Sequence, residues 1–253
     1  MKLPKIPTII STIMLNNGID FHTHILPGID DGAKDIEETK ELLQSLKKQG
    51  VSTVVLTPHY YSHKISPEDF LQKRITAYEK VMNEIESDMT FVLGSESYIT
   101  KYFFYNDEIS PFCVNEKLYL LVELAYDTEF GKDTLSQFEQ ILEDYGKIPV
   151  LAHLERYPYL IKNKSLIQYL VDMGCLMQTN LKSIHKPFLS GKLLKLMKEN
   201  LIHVVGTDCH NLAKRPPEFQ PNISLIEKKL SKDVVIQLMK NAENIIMGKP
   251  VSW

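Results

Sequence analysis

Side chains that bind metal ions stand at intervals along this chain, each directly behind a short apolar run. Ile19-Asp20-Phe21 leads into His22-Thr23-His24, Val54-Val55-Leu56 into Thr57-Pro58-His59, and Phe91-Val92-Leu93 into Gly94-Ser95-Glu96. Leu120-Leu121-Val122 leads into Glu123, Pro149-Val150-Leu151 into Ala152-His153, and Val204-Val205 into Gly206-Thr207-Asp208-Cys209-His210. Imidazole and carboxylate donors with no obligatory cysteine suit Zn²⁺, Mn²⁺ or Fe better than a closed structural zinc site, and so many donors imply more than one ion. On an extended segment the two imidazoles of H-x-H fall on one side, because side chains alternate with period two. Asp208 and His210 have the same spacing. Alone, each group has a plainer reading: a hydrogen-bonded pair at a strand end, a helix-capping carboxylate, a turn histidine. Together, five of the eight histidines stand at such ends, and that coincidence carries the metal-site reading. His63, His185 and His203 are read as surface or supporting residues.

Arginine is scarce, with only Arg74, Arg156 and Arg215. Arg156 follows His153 in H-L-E-R and Arg215 lies downstream of His210, so both are read as phosphate clamps, since a planar guanidinium binds phosphate oxygens bidentately. Arg74 falls in a helical stretch and is expected to solvate it. Cys209 to Arg215 also matches the C-x5-R loop of cysteine-dependent phosphatases. That loop needs small residues and a following helix N-terminus to cradle phosphate. The intervening residues include no glycine, and Pro216-Pro217 opposes an immediate helix, so a thiolate mechanism is disfavoured.

The elements that must position these groups alternate. Apolar runs at 18–21, 52–56, 90–93, 118–122, 148–152, 175–178 and 201–205 read as strands. Helical spacing separates them at 35–49, 67–87, 134–145, 164–173 and 189–200, with a last helix at 233–247. The pattern predicts an α/β protein, a distorted (β/α)7 barrel of TIM-like kind, whose parallel strands present all their C-terminal ends, and so the metal site, on one face. The 253 residues, 43% hydrophobic and 24% charged, fit one such domain over 1–253, with 1–17 as a docked N-terminal arm. A net charge of -3 gives no footprint for nucleic acid. Three cysteines fit neither a disulfide framework nor a C-x-x-C site, and no stretch is long enough to span a bilayer, so the reading is a cytoplasmic protein without direct membrane insertion.

The run His22-Thr23-His24-Ile25-Leu26-Pro27-Gly28-Ile29-Asp30-Asp31-Gly32-Ala33, with Thr57-Pro58-His59, His153-Leu154-Glu155-Arg156-Tyr157 and Thr207-Asp208-Cys209-His210, resembles the polymerase and histidinol phosphatase (PHP) superfamily. It most resembles the bacterial tyrosine-protein phosphatase branch found with capsular and exopolysaccharide genes. The resemblance implies the PHP fold with a centre of up to three ions, usually Mn²⁺, with Fe or Zn as alternatives. It also implies ligand roles. His22, His24, Glu96 and Asp208 would hold one ion, and Glu96 would bridge to a second held with Glu123 and His153. Asp31, His59 and His210 would hold the third, with Asp30 a substitute for Asp31.

The leading function is therefore a metal-dependent protein-tyrosine phosphatase. In it, a cation-activated water attacks phosphorus while Arg156 and Arg215 neutralise the developing charge, with no covalent phosphoenzyme. The resemblance implies a phosphotyrosine substrate in the C-terminal tail of a bacterial tyrosine kinase that regulates polysaccharide assembly. Tyr60, Tyr61, Tyr98, Tyr102, Phe103, Phe104 and Tyr105 are candidates for an aromatic rim, or else for loop packing. The alternatives are a small-molecule phosphatase such as histidinol-phosphate phosphatase, and a non-catalytic scaffold that docks the kinase.

Overall fold

The structure, a computed structural model, describes residues 18–251, so the arm read at 1–17 lies outside the described residues. The strands are β1 (Gly18–Thr23), β2 (Val51–Leu56), β3 (His59–Tyr60), β4 (Thr90–Leu93), β5 (Glu96–Tyr98), β6 (Tyr119–Glu123), β7 (Ile148–Leu151), β8 (Leu176–Asn180) and β9 (Val204–Gly206), and every pairing is parallel. They fill the seven expected positions, because two strands are each broken in two. Thr57-Pro58 separates β2 from β3, where proline has no N–H for the ladder, and Gly94-Ser95 separates β4 from β5. The first halves pair as β1-β2-β4 and the second halves continue as β3-β5-β6-β7-β8-β9. The breaks are bridged by Thr57 N–H donating to the Thr23 carbonyl (3.0 Å), Gly94 N–H to Leu56 (2.9 Å) and Glu96 N–H to Pro58 (3.0 Å). Beyond β9 the ring closes on β1 through Asp208 N–H to the His22 carbonyl (2.8 Å) and His24 N–H to the Cys209 carbonyl (2.9 Å). The gap between β4 and β6 and the two breaks are the distortion in the barrel.

The helices are α1 (Ile36–Lys48), α2 (Pro67–Glu84), α3 (Lys132–Glu143), α4 (Pro158–Lys162), α5 (Lys164–Asp172), α6 (Ser190–Lys198), α7 (Gln220–Lys229) and α8 (Lys232–Met247). Their ends follow local chemistry. The Asp35 carboxylate accepts the Glu38 N–H ahead of α1, Ser66 caps α2 and Ser231 caps α8. Gly248, at φ +67, closes α8 in the left-handed conformation that glycine adopts without strain. Helices α4 and α7 have no counterpart in the sequence pattern, and ahead of α7 Pro216-Pro217 read as opposing a helix. Pro221 occupies the first turn of α7, where its missing N–H costs nothing.

Two apolar layers result. Ile19, Phe21, Val55, Val92, Leu121, Val150 and Val204 fill the barrel interior, and Ala242, Ile245 and Ile246 of α8 join that same cluster. The larger layer lies between strands and helices, with Leu42, Leu46, Phe70, Val81, Phe138 and Leu170 among its buried members. Two expectations are corrected here. Arg74 is not solvated: it is buried, and its Nη1 donates to the Gly94 carbonyl at 2.9 Å, which ties α2 to the β4–β5 break. His203 is not at the surface: it is buried, its Nδ1 accepts the Met177 N–H at 2.9 Å, and burial pushes its pKa down to about 3. His63 and His185 are exposed, as expected.

Candidate metal centre

Strict alternation along β1 would put His22 on the same face as Asp20, outside the barrel. The pairing shows why it does not. Asp20 lies opposite Val54 and Thr23 opposite Leu56, so β1 carries one extra residue between them. This bulge turns the strand end and aims His22 and His24 into the barrel mouth, a re-aiming that bulges commonly provide next to sites. Asp20 stays behind, buried, and accepts both the N–H (2.8 Å) and the hydroxyl (2.6 Å) of Thr207, which fastens β9 to β1. Two glycines make room for the turned histidines. A Cβ on Gly206 would stand 2.5 Å from the His22 Cβ, and one on Gly32 would stand 2.0 Å from the His24 carbonyl oxygen. His153 (φ +35) and Asp208 (φ +55) both hold left-handed backbone without being glycine. Such residues cost roughly 1–3 kcal/mol and cluster at functional sites. Asp208 and His210 thus converge through a kink, not through the strand pleat that their spacing suggests.

The structure brings all nine sequence-predicted ligand candidates to this mouth. Glu96 is the hub. Its Oε2 lies 3.1 Å from His22 Nε2, 3.2 Å from His24 Nε2 and 3.1 Å from His59 Nδ1, and its Oε1 lies 2.7 Å from His153 Nε2. Glu123 approaches His153 Nε2 to 3.3 Å and His59 Nδ1 to 3.7 Å. Asp208 Oδ1 stands 3.5 Å from His24 Nε2, and Asp31 Oδ1 stands 3.3 Å from His210 Nε2 and 3.5 Å from His59 Nε2. Three overlapping groups have ligand atoms close enough to share a cation: His22, His24 and Glu96; His59, Glu96 and Glu123; and His24, Asp31, His59 and His210. The donor set fits metal ions on its own terms. His22 Nε2 and His24 Nε2 face each other at 3.1 Å, while His59 Nδ1 and His210 Nε2 are buried without an aligned hydrogen bond. Nitrogen lone pairs and carboxylate oxygens converging on common points are what a hard or borderline dication needs.

Asp30 and Asp31 divide the work that their adjacency left open. Asp30 takes the His24 Nδ1 at 2.7 Å and the N–H groups of Gly32 and His59 at 2.9 and 3.0 Å, so it stands behind the ring and orients it. Asp31 stands at the cluster itself. Two residues that sequence reasoning missed come from β8, the one described strand position with no metal-type residue at its end, and a third, Tyr126, follows β6. Gln178 Oε1 accepts the His153 N–H at 2.6 Å and lies 3.3 Å from His22 Nδ1. Asn180 donates to Asp208 Oδ2 at 2.7 Å. Their Q-x-N spacing at a strand end was the only available signal.

Arg156 and Arg215 converge on one carboxylate. Arg156 Nη2 donates to Asp208 Oδ2 at 2.5 Å, Arg215 Nη2 to Asp208 Oδ1 at 2.7 Å, and Arg156 Nη1 to the Tyr126 hydroxyl at 2.9 Å. The Tyr126 hydroxyl in turn donates to Glu123 Oε1 at 2.9 Å. Both guanidinium groups remain part-exposed at the open side of the mouth. The aromatic rim divides. Tyr61 stacks on His59 (centroids 5.2 Å) and leans on Tyr98 (5.5 Å), whereas Tyr60 and Phe103 are core, Tyr60 stacked on Phe112 at 4.3 Å.

The charges hold one another in place. Burial disfavours the Glu96 carboxylate, but His22, His59 and His153 outweigh it and hold its pKa well below the usual range. For His24, burial opposes the cation and is overcome by Asp30 and Glu96, so the pKa rises to about 10. For His153, burial is overcome by Glu96 and Glu123, and the pKa rises to about 9. Cys209 is buried in the ring closure and burial pushes its thiol far up. The N–H groups of His210 and Asn211 donate to the Arg215 carbonyl, so this segment forms no phosphate cradle.

Residues 18–247 match the family described as capsular polysaccharide synthesis, CpsB/CapC. The chain belongs to this family. It is 33% identical over 242 residues to the tyrosine-protein phosphatase CpsB of Streptococcus pneumoniae, covering 91% of this chain and 99% of that protein. It is 29% identical over 248 residues to the tyrosine-protein phosphatase YwqE of Bacillus subtilis, covering 92% and 93%. A crystal structure from a study of those two proteins, described as metal-dependent tyrosine phosphatases, superposes with a TM-score of 0.81 at 27% identity, covering 93% of this chain and 96% of the other. A phosphotriesterase homology protein of Escherichia coli (TM-score 0.58, 11% identity, covering 91% and 99%) shares the fold alone. Across the CpsB/CapC match lie all nine ligand candidates and both arginines.

Proposed function

We propose that this member of the CpsB/CapC family is a metal-dependent protein-tyrosine phosphatase whose reaction takes place at the barrel mouth. The observation that carries the reading is the convergence at the barrel mouth of donors from six strand ends, Glu96 at their hub, with two guanidinium groups at the open edge. His22, His24, Glu96 and Asp208 would hold one cation, Glu96, Glu123 and His153 a second, and Asp31, His59 and His210 a third, with Mn²⁺ as the ion. Bound cations would supply Lewis-acid charge and lower the pKa of water. The chain's own residues do the rest. Arg156 and Arg215 present N–H donors to phosphoryl oxygens, and Asp208 and Tyr126 hold them at that edge. Asp30 and Gln178 fix the His24 and His22 rings, so the donor set is preorganised. Tyr61 and Tyr98 form an aromatic edge beside His59 against which a phenyl ring would pack. The buried Cys209, its thiol pushed far up by burial, offers no thiolate for a cysteinyl phosphoenzyme.

The substrate we assign is phosphotyrosine in the tail of a bacterial tyrosine kinase that governs capsular or exopolysaccharide assembly, acted on in the cytoplasm. Support comes from the family and from three free, buried cysteines. Among the described residues no helix is long and apolar enough to cross a membrane. The test is initial rate on a phosphotyrosine peptide and on histidinol phosphate, using chelator-stripped protein with and without Mn²⁺. Restored turnover of the peptide is expected. Preference for histidinol phosphate would make this a small-molecule phosphatase, and silence on both would leave the kinase-docking scaffold.

A further inference from the structure

A cavity of about 320 Å³ opens beside the metal centre and shares two walls with it, Asp31 and His59. Its other walls come from the loop before α1 and from β3, α2 and the loop between them: Ile29, Tyr61 and Ile65 on the apolar side, Lys64 and Lys73 as its cations. Neither lysine has a carboxylate within ion-pair distance among the described residues, although both are exposed in a chain with an excess of acids. Lys64 is also positioned. Its Nζ sits 4.0 Å from the centroid of the Tyr61 ring, and that ring stacks on His59. An ammonium over an aromatic face is attracted by the ring quadrupole and restrained by it. The acidic walls do not cancel this charge, because Asp30 is committed to His24 and to backbone N–H groups, and Asp31 faces His59, His210 and Arg215.

We propose that this cavity is a second subsite, which binds an anionic side chain one or two residues from the phosphotyrosine being hydrolysed. The inference rests on the phosphatase reading above. An apolar wall with two unpaired cations matches a side chain with an apolar body and an anionic end. A second phosphotyrosine has both parts, and a glutamate has only the charge. Consecutive residues are 3.8 Å apart at Cα, so a substrate chain whose phosphoryl group sits at the centre brings its near neighbours to this adjoining wall. The site would therefore favour clustered phosphotyrosines, or phosphotyrosines in acidic sequence.

The experiment compares kcat/KM of the metal-loaded full chain on four peptides of one sequence. Each carries a scissile phosphotyrosine, flanked by a second phosphotyrosine, glutamate, alanine or lysine, and a small aryl phosphate serves as reference. Expected is the order phosphotyrosine, glutamate, alanine, lysine, with roughly a tenfold span between the ends, through KM and shrinking with salt. In the variant carrying Lys64→Glu and Lys73→Glu the glutamate-to-lysine ratio should invert, while Lys64→Arg with Lys73→Arg should restore the wild-type order. Glutamate equal to the second phosphotyrosine would identify charge alone as the determinant and remove the aryl part of the proposal. Equal rates on all four peptides by an enzyme active on the aryl phosphate would overturn the subsite. No turnover of any peptide or of the aryl phosphate would overturn the phosphatase reading instead.

Discussion

At the scale of single residues, the site is a set of charges that hold one another in place, with two arginines held on Asp208 at its open edge. Replacing Arg156 or Arg215 by lysine keeps the charge but loses the fork. A loss of about 10²-fold in kcat is expected, the usual consequence of removing one donor to developing oxyanion charge; an unchanged kcat in the double Arg156→Ala, Arg215→Ala variant would remove the clamp assignment. Asp30→Asn should keep the fold and weaken metal affinity about 10- to 100-fold, as loss of a ring-orienting carboxylate does. Titrating the stripped variant with Mn²⁺ under a competing chelator measures it. Cys209→Ser should retain both metal content and turnover, because that thiol is buried and protonated. Loss of activity with full metal content would force a return to thiolate chemistry.

At the scale of elements, the strand ends act as brackets whose position depends on packing behind them. Arg74 shows this well: a charged residue on α2 reaches through the helix–sheet layer to hold the Gly94 carbonyl, two residues ahead of the hub Glu96. Arg74→Ala removes that donor and leaves a buried carbonyl and a void. A loss of about 2–4 kcal/mol is expected in urea unfolding, with metal stoichiometry unchanged in the folded fraction. A loss under about 0.5 kcal/mol would mean that the β4–β5 break holds itself. The element level also explains which parts of the sequence were readable. Helix α1 announced itself through Asp35, its buried leucines and Gly50, because caps and amphipathic spacing are local signals. Helix α7 did not, because a proline-rich stretch reads as a stop until its chain position shows that Pro221 sits in a first turn.

For the whole molecule, metal and protons compete for the same groups. In the metal-free protein His24 and His153, at about 10 and 9, are protonated at neutral pH, well above the unfolded value near 6.5. Their contribution to stability is complete below about pH 6.5 and is lost as pH rises through 9 and 10. The melting temperature of the stripped protein should therefore fall between pH 7 and 10. Metal uptake requires these rings neutral, so it should release protons and tighten as pH rises. Proton release on adding Mn²⁺ in weakly buffered indicator dye measures it, and the loaded protein should melt higher than the stripped one, by a margin that grows with the logarithm of free metal. A stripped protein whose melting temperature climbs across that window would show these rings neutral without metal.

Much of this was fixed by the chain itself. Alternating apolar runs and amphipathic stretches specify seven strand positions with helices between them. Parallel strands necessarily gather the residues at their C-terminal ends on one face, so His22, His24, His59, Glu96, Glu123, His153, Asp208 and His210 could be named together from their positions alone. Tertiary structure alone decided how they face. The extra residue in β1 reverses the side on which His22 and His24 project, a left-handed kink turns Asp208, and Asp30 is separated from Asp31 by a hydrogen bond to a ring six residues away. Gln178 and Asn180 carried no chemical signal of their own, and Arg74 looked like a solvated helix charge. The deciding feature is a partner elsewhere in the chain, a backbone kink or a register shift of a single residue, and none of these is encoded in residue type or local spacing.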